Sequence, residues 1–401
     1  MTFDDAKCIP ASDINSDDVI EVGEVLFNNT NSTAWVGKTA LFENRERGPV
    51  VCSNHITRIR PNERVSAPFL VAVLNMMQRA GYFGRLATNF NNQAGINGNT
   101  LADVVIPLGD ARLRKQALAA LDAAREQWMK MLADADTLLA GLNDFVLDQL
   151  ALTLPSSDGR MVYAVRLGES RYRFDPDFHS PRFRTLRQKI EHGKHDPRTI
   201  KSLCNFIQSG FAAGGDDQTD DASIGIPHIR PLNISNTTEL HFDGTKMVPR
   251  SDVEPGDFLQ QGEVLFNNTN STAWVGKSVV FDANRQCACS NHITRLRLAN
   301  KNDSPYFLAA LINALRGLGY FGLLATNFNN QAGINANTLE NVILPWPDGK
   351  IQDKIAAEVA HRRAEARRLR AEAEALWEQA KADFEAALLG LPANGKGGSE
   401  P

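Results

Sequence analysis

The chain has 401 residues, 43% hydrophobic and 22% charged, which is enough for two or three domains with cores of their own and too apolar for a disordered protein. Its formal net charge of −4 argues against a protein that grips nucleic acid by bulk basicity, because neutralisation of phosphates by Lys and Arg usually dominates such binding. There is no apolar run long enough to cross a bilayer, and the start MTFDDAKCIP lacks the basic and apolar regions of a signal peptide, so a cytoplasmic protein without membrane contact is expected.

In chain order, the first element is GEVLFNNTNSTAWVGK at residues 23–38, which reads as a short strand running into an Asn-rich turn. HITRIR at 55–60 is a second strand, and PFLVAVLNMMQRAG at 68–81 has Leu, Ala and Met at helical spacing and ends on a capping glycine. LATNFNNQAGIN at 86–97 is a polar loop, and VVIPLGD at 104–110 is a closing strand. A continuous helix is predicted from Arg112 to about Leu150, with Leu113, Ala117, Leu121, Ala124, Trp128, Met131, Ala135, Leu138 and Leu142 on one stripe. After residues 153–170, read as a linker, RYRFDPDFHSPRF at 171–183 opens a second mixed region that includes Asp216, Asp217, Asp220 and Asp221 in one expected acidic loop. That loop shows that the net charge is a sum over segments of opposite character. KSVVF at 277–281 is another strand, PYFLAALINALRGLG at 305–319 another helix, and LPWP at 344–347 another closing strand. The last helix carries Ile351, Ile355, Val359, Arg362, Ala366, Leu369, Ala373 and Leu376 on its stripe. Spacings of three and four over this length fit a coiled-coil seam. Forty such residues would span about 60 Å, enough to act as a ruler between two modules.

The organisation is a tandem duplication. Residues 23–38 recur without change at 262–277, CSNHITR at 52–58 returns at 289–295, and LATNFNNQAGIN returns at 324–335. Phe3, Asp4, Lys7, Pro10, Ser12 and Asp13 match Phe242, Asp243, Lys246, Pro249, Ser251 and Asp252 in the same register. The second copy has about seventy further residues, roughly 172–239, ahead of the position where the first copy begins, so the first copy is expected to be truncated at its N-terminus, with the start misplaced, the missing strands supplied by another chain, or this half impaired.

Two modules, each closed by an IPL or LPWP segment and a long helix, resemble the specificity subunit of type I restriction-modification systems. The resemblance covers nearly the whole chain and rests on GEVLFNNTNSTAWVGK, SNHITR, NQAGIN with NTL, and RYRFDPDFHSPRF. It implies an α+β fold: two target-recognition modules of mixed, β-rich core, each followed by a long helix, with the two helices pairing as an antiparallel coiled coil. The corresponding division is a first recognition domain at 1–108, its spacer helix at 109–152, the linker, a second recognition domain at 171–348, its helix at 349–392, and a disordered tail at 393–401. The implied function is non-catalytic: binding double-stranded DNA at a bipartite, near-palindromic site. The implied partners are two adenine-specific DNA methyltransferase subunits and the restriction, or translocase, subunits.

Asn and Gln can pair with adenine edges, Arg and Lys with guanine, and Ser, Thr and backbone amides with phosphates. On that chemistry the DNA-binding candidates of the first copy are Asn29, Asn31, Ser32, Lys38, Arg58, Asn91 and Gln93. Those of the second are Asn268, Asn270, Ser271, Lys277, Arg295, Asn329 and Gln331, joined by Arg230 and Asn233, and more weakly by Ser235 and Asn236, from the stretch that the first copy lacks. The competing reading is that the asparagines shape turns, since Asn tolerates left-handed backbone and bonds its own main chain.

No catalytic residue, cofactor or metal is expected. WVGKT and WVGKS end like a phosphate-binding loop, but Ser32 and Ser271 stand where its first glycine belongs. No methylase Asn-Pro-Pro-Tyr segment occurs, His55 and His292 lack evident acidic and nucleophilic partners, and Glu24 and Glu263 read as turn residues. The five cysteines, Cys8, Cys52, Cys204, Cys287 and Cys289, have no CxxC spacing and read as reduced thiols. Two other classes compete: the recognition portion of a split methyltransferase-nuclease, and a coiled-coil antirestriction or interaction protein.

Overall fold

The structure, a computed structural model, describes residues 6–43, 48–90, 93–152, 154, 162–166, 168, 176–221, 223–328 and 331–391. Two compact units divide the chain, residues 1–133 with 369–401, and residues 134–368.

In the first unit, β1 (Val25–Asn28) lies between β3 (Thr39–Leu41) and β4 (Ile56–Ile59), antiparallel to both. A second small sheet joins β2 (Thr30–Asn31) to the hairpin β5 (Thr88–Phe90) and β6 (Gln93–Gly95), in the order β2-β6-β5. Helix α1 (Ala67–Arg79) buries Phe69, Leu70, Val73, Leu74, Met76 and Met77 and ends before Gly81, whose φ of +75° begins the short helix α2 (Tyr82–Leu86). The core joins Val25, Phe27 and Val36 to the buried face of α1 and to Phe83. Asn75 of α1 clips one strand end: its Nδ2 donates to Thr39 O at 2.8 Å and its Oδ1 accepts from Thr39 N at 3.0 Å. A short helix α3 (Gly98–Ala102), capped by Asn97, leads to α4 (Ala111–Ala140).

The expected helix to about Leu150 is broken at Gly141, whose φ of −79° and ψ near 1° separate α4 from α5 (Leu142–Gln149). The expected VVIPLGD strand is also absent, because residues 104–110 form no strand among the described residues.

The second unit repeats this plan with more sheet. After the end of α4 and α5 it continues with α6 (Pro181–His192), β7 (Asp196–Thr199), α7 (Ile200–Leu203), β8 (Cys204–Ser209), β9 (Gly225–Ile229) and β10 (Met247–Pro249). Strands β11 (Val264–Asn267), β13 (Ser278–Val280) and β15 (Ile293–Leu298) correspond to β1, β3 and β4, and β8 extends them into the order β13-β11-β15-β8. Strand β9 pairs with β10 and with β14 (Ala288–Cys289). The small sheet recurs as β12 (Thr269–Asn270), β17 (Gln331–Gly333) and β16 (Thr326–Phe328). Helix α8 (Pro305–Gly317) is buried from Phe307 through Leu315, and Asn313 clips Ser278 as Asn75 clips Thr39. Short helices α9 (Tyr320–Leu324) and α10 (Ala336–Glu340) follow, then β18 (Ile343–Trp346). This strand pairs with β7, Leu344 opposite Arg198, and that pairing explains why LPWP becomes a strand while IPL does not: the first unit has no β7 among its described residues.

The last helix, α11 (Gly349–Leu389), contributes to both units. Within the first unit Trp377 of α11 stacks on Trp128 of α4, ring centroids 5.7 Å apart, and Phe384 meets Phe69. Within the second, Arg362 lies over the Phe145 ring at 4.8 Å and Lys354 donates to Gln149 at 2.8 Å. Of the two predicted stripes, Ala117, Ala135, Leu142, Ile355, Val359, Ala366 and Ala373 are buried. No helix is long and apolar enough to cross a membrane among the described residues.

Candidate nucleic-acid interface

The invariant segment makes the same backbone turn in both units. After β1 the chain makes a single helical turn, in which Trp35 and Val36 amides donate to Ser32 O, and it leaves that turn through Gly37 at φ +88°. A Cβ on Gly37 would lie 2.4 Å from the Phe83 ring, and one on Gly276, φ +90°, 2.8 Å from Phe321, so only glycine fits there. The resemblance of VGK to a phosphate loop is therefore a packing feature. Lys38 folds back over the Trp35 ring at 3.8 Å, a cation–π contact, and its side chain stays exposed.

The structure sorts the predicted candidates into scaffold and surface. Asn268 is 6% exposed, and its Nδ2 donates to Asn291 O and Thr294 Oγ1, both at 2.9 Å, while its Oδ1 accepts from Thr269. Asn29 makes the same bonds to Asn54 O, Thr57 Oγ1 and Thr30, so both amides hold the turn to the neighbouring strand. Asn233 is 3% exposed and bound to His241 O and Thr245 Oγ1. These three positions follow the turn-shaping reading.

Arg295 is withdrawn from the surface most completely, and Arg58 is half-buried. Arg295 is 1% exposed and forms a two-pronged pair with Glu263, Nε to Oε2 at 3.0 Å and Nη2 to Oε1 at 3.0 Å. Its remaining donors reach Gly256 O and Phe258 O. Arg58 pairs in the same way with Glu24 and with Asp17 O and Val19 O. Both guanidiniums are therefore spent inside the module, and neither retains a fork with which to grip a guanine or a phosphate. Burial opposes ionisation of Glu24, but hydrogen bonds from Arg58, the Glu21 amide and Arg60 outweigh it and hold the pKa at about 2. The two glutamates read as turn residues from sequence are thus the anchors of buried ion-pair networks, Glu263 at 0% exposure.

Lys277 differs from its twin. It is 6% exposed, its ammonium lies 5.0 Å from the Trp274 ring, and Arg316 lies over the same ring at 5.1 Å. Burial and the like charge of Arg316 lower its pKa. Arg316 also donates to Ala273 O at 3.0 Å, a carbonyl that Gln78 holds through Ala34 in the first unit. Of the two lysines expected to touch DNA backbone or base, Lys277 is buried and its charge enclosed.

What remains is a polar surface on each small sheet. Ser32 and Gln93, and Ser271 and Gln331, are exposed. Asn31 and Asn270 accept the next residue's amide through Oδ1 at 2.8 Å. Arg230 is half-buried, and its backbone amide donates to Asn233 Oδ1. Asn91 and Asn329 lie outside the described residues.

Sequence reasoning passed over the aromatics of this surface: Trp35 and Phe90 are each 50% exposed. Their signal was an aromatic within an Asn-rich stretch, and exposed aromatics are a feature of surfaces that stack on bases. Among the described residues no cluster of His, Cys, Asp and Glu is placed to hold a metal.

No family model matches the chain. A putative type I restriction enzyme specificity subunit, MjaX, of Methanocaldococcus jannaschii is 27% identical over 164 residues, 40% of this chain and 37% of that protein. The match thus spans little more than a third of the relative's length. Among solved structures, a chain from work on complex assembly and conformational transition of the type I restriction-modification system aligns over 92% of this chain and 82% of its own, at 17% identity and a TM-score of 0.52. The S subunit of the type I restriction-modification system from M. genitalium covers 94% of this chain and 85% of its own, at 11% identity and a TM-score of 0.47. The mixed α/β fold is that of the first of these two chains. The chain is thus similar over part of its sequence to a putative type I restriction enzyme specificity subunit, and in fold to a chain of the type I restriction-modification system.

Proposed function

We propose that the chain is the DNA-reading subunit of a type I restriction-modification complex, that it has no catalytic centre, and that methyl transfer and cleavage come from partner subunits. The observation that carries this reading is the pair of small sheets, β2-β6-β5 and β12-β17-β16, which present the same Asn, Ser and Gln side chains twice. Exposed amides on a rigid support suit base edges, and the exposed Lys38 suits a phosphate. The proposed contacts are Asn31, Ser32, Lys38 and Gln93 in one module, and Asn270, Ser271, Gln331 and Arg230 in the other.

Helices α4, α5 and α11 pair as an antiparallel coiled coil in this reading. The contacts Trp128–Trp377, Arg362–Phe145 and Lys354–Gln149 support it, since successive partners descend on one helix as they rise on the other. The pair holds two adenine methyltransferase subunits, sets the spacing of two half-sites, and offers a base for restriction subunits in the cytoplasm. Modules that share identical loops read similar half-sequences, and with inverted half-sites the target is a near-palindromic bipartite site.

The test is to co-express the chain with the methyltransferase subunit and map methylated adenines by long-read sequencing. Two inverted, similar half-sites around a fixed spacer are expected. Two unrelated half-sequences would refute the shared-specificity argument, and methylation by the purified chain with S-adenosylmethionine would refute its non-catalytic role. An antirestriction decoy would give no electrophoretic shift of DNA with or without the methyltransferase.

A further inference from the structure

Two guanidiniums of the second unit share one pocket that no carboxylate enters. The pocket, about 210 Å³, lies where α5, α8 and α11 meet the turn at 235–239, and Asn143, Asn236, Thr237, Thr238, Arg316 and Arg363 line it among others. Among the described residues, no Asp or Glu belongs to its lining. The Nε atoms of Arg316 and Arg363 are both shut off from solvent, and neither has a hydrogen-bond partner among the described residues. Asn236 is exposed, so the pocket has a mouth.

Both arginines are anchored by their other nitrogens. Arg316 Nη1 donates to Ala273 O at 3.0 Å, and its guanidinium lies over the Trp274 ring that Lys277 also approaches. Arg363 Nη2 donates to Thr237 O at 3.5 Å and to Oγ1 of Thr238, a residue held at φ +60°, a conformation rare outside glycine. Glu239, the carboxylate that acts on Arg363 from outside the pocket, is engaged by Arg367 and by Thr237 Oγ1. Burial lowers the pKa of Arg316 and of Arg363, and Glu239 opposes it only at Arg363. The first unit builds the matching corner with other charges. Aligning Asp110 with Asp348 puts Gln78 at the place of Arg316, and Asp122, Arg125 and Glu126 at those of Ala360, Arg363 and Ala364. The cavity that Arg125 lines there is lined by Glu43, Asp122 and Glu126 as well.

A buried donor on a charged group is costly to leave without an acceptor, and an oxyanion answers several such donors at once. Guanidinium geometry suits a tetrahedral oxyanion, and pockets for larger ligands run from about 300 Å³ upward, which leaves this one the size for a small ion with water. We propose that the pocket binds free inorganic phosphate, whose oxygens accept from Arg316 Nε and Arg363 Nε with the Asn143 amide at the wall beside them. Because Arg316 also holds the carbonyl next to Trp274, bound phosphate ties the turn at 271–276 to α11. The inference does not rest on what the modules read.

The test titrates the whole chain with inorganic phosphate at constant ionic strength, chloride making up the balance, and follows heat and native-state hydrogen exchange. Saturable binding with a dissociation constant of about 1 mM or below is expected, with slower exchange at 236–239, 273–276 and 314–317 and no change at 34–37 and 76–79. Arg316→Gln installs the residue of the first unit, where Gln78 Nε2 donates to Ala34 O at 2.7 Å, so the turn should keep its brace while phosphate binds at least about tenfold more weakly. Arg363→Lys keeps the charge and loses the fork, and should weaken binding to a similar degree. Unchanged exchange at 264–267 and 293–298 in both variants separates loss of the site from loss of the fold. A random-sequence DNA duplex should not displace the ion. Absence of saturation up to about 10 mM phosphate, undiminished binding by either variant, or displacement by the duplex, which would assign the pocket to a DNA phosphate, would each overturn the proposal.

Discussion

Glu263→Gln and Glu24→Gln make the same chemical change in two copies of one network and should have unequal costs. Glu263 is 0% exposed and receives Arg295 twice, Arg297 at 2.7 Å and the Gln260 amide at 3.0 Å. Neutralising it strands the guanidinium of Arg295, itself 1% exposed, without a counter-charge. Breaking one half of a buried pair costs about 3–5 kcal/mol. Around Glu24, the side chains of Arg58 and Arg60 are 19% and 64% exposed, so water takes over part of the lost interaction and the cost falls to about 1–2 kcal/mol. Native-state hydrogen exchange reads each network in place: Glu263→Gln should speed exchange in β11 and β15 at least about a hundredfold, and Glu24→Gln should speed β1 and β4 by about tenfold. Equal acceleration at the two sites, or a larger effect at Glu24, would refute the argument that burial sets the cost.

Four other outcomes follow from the same geometry. Lys38→Ala should weaken binding to all DNA sequences and reduce the salt dependence by about one ion, whereas Lys277→Ala should leave the salt slope unchanged and lower the melting temperature, as salt titrations and thermal scans would show. Gly276→Ala, at φ +90° and 2.8 Å from Phe321, should destabilise the second unit by at least about 2 kcal/mol in urea titrations. Because Glu24 has its pKa depressed from 4.5 to about 2, its stabilisation is present above pH 4.5 and is lost as pH falls toward 2, so Glu24→Gln should flatten acid unfolding of the first unit across that window. Inserting four residues near Ala133, about 6 Å of helix, should change the spacer of the recognised site by one or two base pairs while both half-sites stay the same, as methylation mapping would report.

The sequence by itself determined what depends on local pattern. Helical stripes at 113–142 and 351–376, the glycine after α1 and the strands in GEVLF and HITRIR are set by side-chain periodicity and backbone preference within a few residues, and the duplication needs only alignment. The break at Gly141 was not legible, because its φ of −79° uses none of glycine's special freedom. Identity between the copies misled where surroundings differ. Lys38 and Lys277 end the same sixteen-residue string, yet one is exposed and the other is 6% exposed beside Arg316, which replaces Gln78 from a distant helix. Arg58 and Arg295 carry the residue type that grips phosphate and guanine, and only their distance to Glu24 and Glu263, more than thirty residues away in sequence, revealed that their donors are spent. The IPL segment stayed out of the sheet while LPWP entered it, since a strand forms where a partner's backbone groups meet its own and β7 exists in one unit alone among the described residues. Local pattern fixes which elements a segment can form; burial, pairing and charge compensation belong to groups that the fold brings together across the chain.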